Sequence, residues 1–275
     1  MSILLNLSGP AADAAKTAPK SSRRMFNAIP VALAWGFLLA VFVGLRLYQQ
    51  AFAFKYGLDS TSPEFETYWM TLFKVEVPLI FGVGFAICAY LWLTRDRDLD
   101  SIKPEVELRR YFNLVGWFLV YIFAFVWIAC FFGEGDATWH QTVVRDTALT
   151  PSHIVTFYAC VPTYMMAGAG TLVYATTRIP AFAKAYSVPL LMVVIGPALI
   201  LPNLGFNEWG HAFWFTEEVF SHPLHWGFPV LGWTGLALGG VLVQVMARMA
   251  QLFKQLSPVS DTETMLSDGA GSRTQ

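Results

Sequence analysis

The sequence predicts an all-α integral membrane protein with six transmembrane helices and room for a seventh element. Three observations carry that expectation. Of the 275 residues, 55% are hydrophobic and 13% charged, whereas soluble chains carry about 25% charge. Mean hydropathy is +0.49. Apolar runs of the roughly 20 residues that a bilayer-crossing helix needs recur along the chain, separated by short polar connections. A formal net charge of −1 and the lack of a basic patch interleaved with aromatics argue against a nucleic-acid partner. The three cysteines are odd in number, lack CxxC spacing and sit inside apolar runs. They predict neither a disulfide framework nor a thiolate metal site, only small packing residues.

Residues 1–24, rich in Ala, Ser, Lys and Pro, read as a disordered amino-terminal segment. Residues 25–254 form the transmembrane helical domain, and 255–275 a polar, disordered tail. Ser22-Arg23-Arg24-Met25-Phe26 is similar to a twin-arginine export signal. The apolar run after it is too long and too hydrophobic for a typical signal, so an uncleaved anchor is the preferred reading.

The first span is predicted over residues 28–48, with Trp35 and Tyr48 as interface anchors. The acidic, aromatic stretch GLDSTSPEFETYW reads as a loop. A second span over 71–93 carries Lys74 and Glu76 near its start. Two positions apart on a helix, these side chains do not face each other. Each must snorkel, pair elsewhere or line a polar cavity. The third span is predicted over 111–132, the fourth over 153–177, the fifth over 186–201 with Pro189 and Pro197 interrupting it, and the sixth over 226–250. The stretch 205–221 leaves space for a seventh element.

Basic residues concentrate in four places: the amino terminus, the 95–110 connection, the Arg178/Lys184 connection and the carboxyl end with Arg248 and Lys254. The alternate connections are acidic or mixed. By the positive-inside rule, six spans with both termini cytoplasmic satisfy every connection.

Two polar islands then lie on the outer side, and they hold all five histidines. In the first, residues 133–153, Asp136 and His140 are four apart and share one helical face. His153 comes thirteen positions later, after the turn-favouring Thr150-Pro151. Two imidazoles and a carboxylate can hold iron, copper or zinc and leave positions open for oxygen or water. The alternative is a pair of interfacial histidines satisfied by backbone carbonyls. In the second island, residues 201–226, Asn207 and His211 repeat the four-residue spacing and His225 comes after them. That set makes a second candidate site, although Asn is also an ordinary helix-capping residue. Glu208, Glu217 and Glu218 read as supporting carboxylates, a proton path or simply a solvated face. Met165, Met166 and aromatics such as Phe131, Phe132, Trp139, Trp209, Phe213 and Trp214 read as core or lipid-facing residues. The functional alternative for them is an apolar pocket for a small nonpolar substrate.

Several stretches carry a resemblance: GLDSTSPEFETYWM, LTRDRDL, DATWHQTVVRDTALTPSHIVTFY, RIPAFAKAYS, GPALILPNLGFNEWGHAFWF and PLHWGF, in that order from about Gly57 to Gln244. They resemble the C-type subunit of the copper membrane monooxygenases, the family of particulate methane, ammonia and short-chain hydrocarbon monooxygenases. The resemblance implies one copper site at Asp136, His140 and His153 and a second at Asn207, His211 and His225. It implies assembly with two other subunits, of A and B type, into a trimer of heterotrimers, with copper as cofactor. It also implies that dioxygen and two electrons, drawn from quinol, oxidise a very small substrate, ammonia or an alkane from methane to butane. The expected setting is the inner, cytoplasmic or intracytoplasmic, membrane of a bacterium, with lipid around the spans. Two departures stand out. Gly133 and Gly135 occupy positions where most members carry Thr and Gln, so a loosened or reshaped turn is expected before Asp136. His222 stands where a small residue is usual and reads as an interfacial side chain or a third imidazole beside the second site.

The competing class is a non-enzymatic membrane protein, either a metal permease or a haem-bearing quinone anchor. A bis-histidine haem needs opposed imidazoles from packed helices, whereas here no histidine sits mid-span. A permease needs ligands along a path, and the inner half of the chain supplies none.

Overall fold

The computed structural model describes residues 26–133, 135, 136, 139, 149–195 and 236–257. Every regular element among the described residues is helical. Helix α1 spans Ile29–Tyr56 and α2 spans Pro63–Leu93. Helix α3 comprises Pro104–Trp127 and a π-helical continuation, Ile128–Phe132. Helix α4 runs unbroken through Pro151–His153, the π-helical Ile154–Cys160 and Val161–Arg178. Next come the short helices α5 (Pro180–Lys184) and α6 (Val188–Ile195), and α7 is Leu236–Leu256. Of these, α1, α2, α3 and α7 are long and apolar enough to cross a membrane.

Proline sets most of the starts. Pro63, Pro104, Pro151 and Pro180 each stand in the first turn of their helix, behind a residue in extended conformation. There the missing N–H is no loss and the fixed φ suits a helix. Two of these starts share a side-chain cap: Ser62 Oγ accepts from Phe65 N at 3.1 Å, and Thr150 Oγ1 accepts from His153 N at 3.2 Å. Three expected boundaries move. PEFETYW belongs to α2 and not to the preceding loop, and α3 begins at Pro104, seven residues ahead of the predicted span. Helix α1 continues eight residues past its predicted end, to Tyr56.

Helix α4 is the centre of the bundle, packing against α2, α3, α5 and α6. It meets α2 tightly at Gly84, where a Cβ would lie 2.5 Å from Met166 Cγ and Sδ. Glycine here lets the two backbones come together. Met166, half-buried, packs into the space that glycine leaves. Tyr121 of α3 donates to Val193 O of α6 at 2.7 Å, and Tyr121 stacks on Tyr164 of α4 at 4.2 Å. By contrast, α1 and α2 bury little of their apolar surface within this chain: Leu33, Phe37, Leu79 and Phe85 are all exposed. Such faces need lipid or another subunit against them.

One end of the bundle gathers the basic connections. Arg110 pairs with Asp96 at 2.8 Å and donates to Arg178 O; Lys184 pairs with Asp100. Arg178 reaches Thr94 Oγ1 at 2.7 Å. Arg248 of α7 grips Glu107 of α3 through both carboxylate oxygens, each at 2.9 Å. Phe112 contacts both Phe26 and Phe253, so the first and last described segments share this end. The predicted tail 255–275 begins inside α7, which runs to Leu256; the predicted segment 1–24, residues 258–275, the connection between the fifth and sixth predicted spans and any seventh element lie outside the described residues.

Candidate metal centre

The opposite end is built from the close of α1, the start of α2, the close of α3 and the start of α4. Beyond the π-helical stretch Ile128–Phe132, Gly133, Gly135, Asp136 and Trp139 are all helical. A π turn carries an extra residue and rotates the helix beyond it, a feature that recurs at functional sites. Asp136 is thereby turned inward and left 8% exposed.

Helix α4 approaches from the other side through its capped start. Thr150 holds the first turn, and Ser152 within it donates to Asp136 Oδ1 at 2.6 Å. Ser152 Oγ also lies 3.2 Å from Thr150 Oγ1. His153 is the next residue, and its Nε2 is 3.5 Å from the same Asp136 Oδ1. Both side chains are about seven-eighths buried, each 12% exposed. Phe157 flanks the imidazole with ring centroids 5.1 Å apart. Phe132 and Trp139 are buried beside the turn, and Phe132 meets Phe42 of α1 edge-on at 5.8 Å. The pair is therefore a carboxylate and an imidazole, side by side and buried, with one aromatic ring, Phe157, against the imidazole.

The structure brings together Asp136 and His153 of the expected first set. His140 lies outside the described residues, as do Asn207, His211 and His225 of the second set. So do His222, Glu208, Glu217 and Glu218. Among the described residues no group of three or more metal-ligating side chains forms. Cys88 is half-buried and Cys160 buried, both as free thiols.

The expected loosening at the glycines is not what the structure shows. Gly133 has φ −61° and ψ −41°, ordinary right-handed helix that any residue adopts. Gly135 matters through its missing side chain: a Cβ there would lie 2.3 Å from Arg46 Nη1 and 3.4 Å from both terminal atoms of Gln49. Volume, not backbone freedom, is what glycine supplies at this turn.

Three contributors escape the sequence pattern. Ser152 looks like any polar residue in a turn, although T-P-S-H is a capped helix start. Arg46 and Gln49 fall inside an apolar span; a charged residue with an amide three positions later on one helical face is the signal that marks them. Of the two charges in the second span, Lys74 pairs with Glu66 near the start of α2. Glu76 is 7% exposed, and among the described residues neither of its oxygens meets a hydrogen-bond partner. Tyr48, expected to anchor at an interface, donates to Tyr68 O at 3.0 Å.

Residues 11–256 match the family of the ammonia monooxygenase/methane monooxygenase C-type subunit. A comparison with curated proteins finds no match. The matched region contains every described helix and both polar islands. A multi-pass helical bundle, a buried carboxylate–imidazole pair and a family match over most of its length agree: this chain belongs to the C-type subunit family of the ammonia and methane monooxygenases.

Proposed function

We propose that the chain is the membrane subunit that contributes a copper site to a monooxygenase, with Asp136, His140 and His153 as ligands. The observation that carries this is the 3.5 Å approach of His153 Nε2 to Asp136 Oδ1 in a buried setting. Two ligand atoms each about 2 Å from one ion stand roughly 3 Å apart, so the pair is already close to the spacing a shared ion imposes. Asp136 and His140 are four apart in the sequence, the spacing that puts two residues on one face of a helix. Nitrogen and oxygen donors without thiolate suit copper among several divalent metals, and the family supports that choice. A second site at Asn207, His211 and His225 is proposed on sequence spacing and the family alone.

Copper, when bound, supplies the one-electron steps by which dioxygen is activated. The chain's own residues do the rest. Ser152 donates to Asp136 and fixes which carboxylate oxygen faces His153. The Thr150 cap fixes the start of α4 and with it the imidazole's position. Phe157, against the imidazole, helps keep water from the buried pair, which strengthens every charge interaction within it. The net reaction consumes dioxygen, two electrons and two protons, hydroxylates one small substrate molecule and releases water. Ammonia and the alkanes from methane to butane are the substrate range, and quinol is the proposed reductant.

The exposed apolar faces of α1 and α2 are proposed to meet A- and B-type partner subunits and lipid in a trimer of heterotrimers. The basic end is proposed to face the cytoplasm, in a bacterial inner membrane, which places the site at the outer end. The test is turnover by native membranes offered ammonia, methane, ethane and butane in parallel, beside membranes carrying His140→Ala. We expect turnover of at least one substrate, lost in the variant while the subunits stay assembled. Full turnover by His140→Ala would overturn the assignment.

A further inference from the structure

Arg46 lies in the second half of α1, and its guanidinium occupies the space that a side chain at position 135 would fill: a Cβ there would be 2.3 Å from Nη1. The guanidinium donates to Gln49 Oε1 at 3.1 Å, and Gln49 is itself 5% exposed. Its acceptor is thus a neutral amide on the same helical face. An arginine within a membrane span is expensive to keep, turns to the bundle interior, and marks function more often than packing. Here it rests on the backbone one residue before Asp136.

We propose that Arg46 is a positioning residue of the Asp136–His153 site, acting in two ways. It braces the Gly135–Asp136 turn against α1, and it sets a permanent positive charge beside the carboxylate. This rests on the copper reading above. A fixed cation next to a metal site disfavours the divalent ion relative to the monovalent one, since the repulsion grows with the ion's charge. Arg46 thereby raises the reduction potential of the metal held by Asp136 and His153, which favours electron delivery to it. Gly135 is part of the same device, because any larger residue there displaces the guanidinium.

The test uses the assembled complex in native membranes or lipid nanodiscs, with the copper(II) electron paramagnetic resonance signal followed in a redox titration. Asp136→Ala identifies the signal belonging to this site by its loss. Arg46→Gln and Gly135→Ala should each leave that signal present but lower its midpoint. The shift expected is on the order of tenfold in the reduced-to-oxidised ratio at fixed potential, about 59 mV for a one-electron couple. Arg46→Lys, which keeps the charge, should recover most of the shift. Gly135→Ala removes no polar side chain and only shifts the guanidinium, so it reports even where Arg46→Gln fails to assemble. A signal that disappears in Asp136→Ala but keeps its midpoint in Arg46→Gln or Gly135→Ala overturns the role of Arg46. A full set of signals surviving in Asp136→Ala overturns the copper reading itself, and the proposal with it.

Discussion

Ser152 ties the two halves of the site together through a single short hydrogen bond to Asp136. Bonds of this kind, behind a ligand, typically change metal affinity by 10–100-fold when removed. Ser152→Ala should therefore weaken copper retention by about that factor while the subunits remain assembled, as read by copper titration of metal-stripped complex. Ser152→Thr, which keeps the hydroxyl, should retain most of the affinity. Glu76 gives the opposite expectation. A buried carboxyl with no partner costs stability, so Glu76→Gln should be neutral or raise the thermal midpoint in lipid, corresponding to about 1–3 kcal/mol at most. A drop in the midpoint would show that Glu76 has a partner in the assembled complex.

Among single residues, the candidate ligands are legible in the sequence and the residues around them are not. Asp136 and His153 stand out because charged and imidazole groups are few in so apolar a chain. Ser152, Arg46 and Gln49 act through contacts between helices far apart in sequence, and spacing along one helix cannot show those. The glycines illustrate the limit well. Their presence suggests a flexible turn, whereas the structure gives ordinary helix and a guanidinium in the vacated volume.

The elements are positioned by their first turns and by one close crossing. Thr150→Ala removes the cap of α4, and loss of an N-cap costs about 1 kcal/mol. The same change should also displace His153, whose amide the cap holds. We expect a modest fall in thermal stability together with weaker copper binding; unchanged copper binding would separate the cap from the site. At the α2–α4 crossing, Gly84→Leu should force Met166 and the helices apart and cost about 1–3 kcal/mol. Met166→Ala in the same chain should recover part of that loss, since residues in contact couple. Apolar period and length make the helices legible, and the Ser62-Pro63 and Thr150-Pro151 pairs mark two of their starts. Helix ends are less legible. Helices α1 and α3 run past the hydrophobic thickness of a bilayer into polar sequence, where hydropathy gives no signal but capping and ion pairs still hold the backbone.

For the whole molecule, the charge pattern predicts which connections share a side. The ion pairs and backbone contacts joining Asp96, Arg110, Arg178 and Lys184 put two of them at one end, and the Arg248–Glu107 grip adds α7. Absolute orientation is the remaining step. Cysteines introduced by Ser60→Cys and Tyr186→Cys should label differently in intact cells, the first with an impermeant maleimide and the second only after the membrane is opened. The reverse pattern would invert the topology and move the site to the cytoplasmic end. Hydropathy alone does not separate the apolar faces that meet lipid from those that meet protein, because both surroundings select the same residues.

Whether copper sits between Asp136 and His153 is decided by the copper content of the purified, assembled complex carrying Asp136→Ala, determined beside the unaltered protein after identical handling. If the pair holds the ion, the copper bound at this site is lost, subunit stoichiometry is unchanged and turnover is abolished. Full copper content with normal turnover would contradict the assignment.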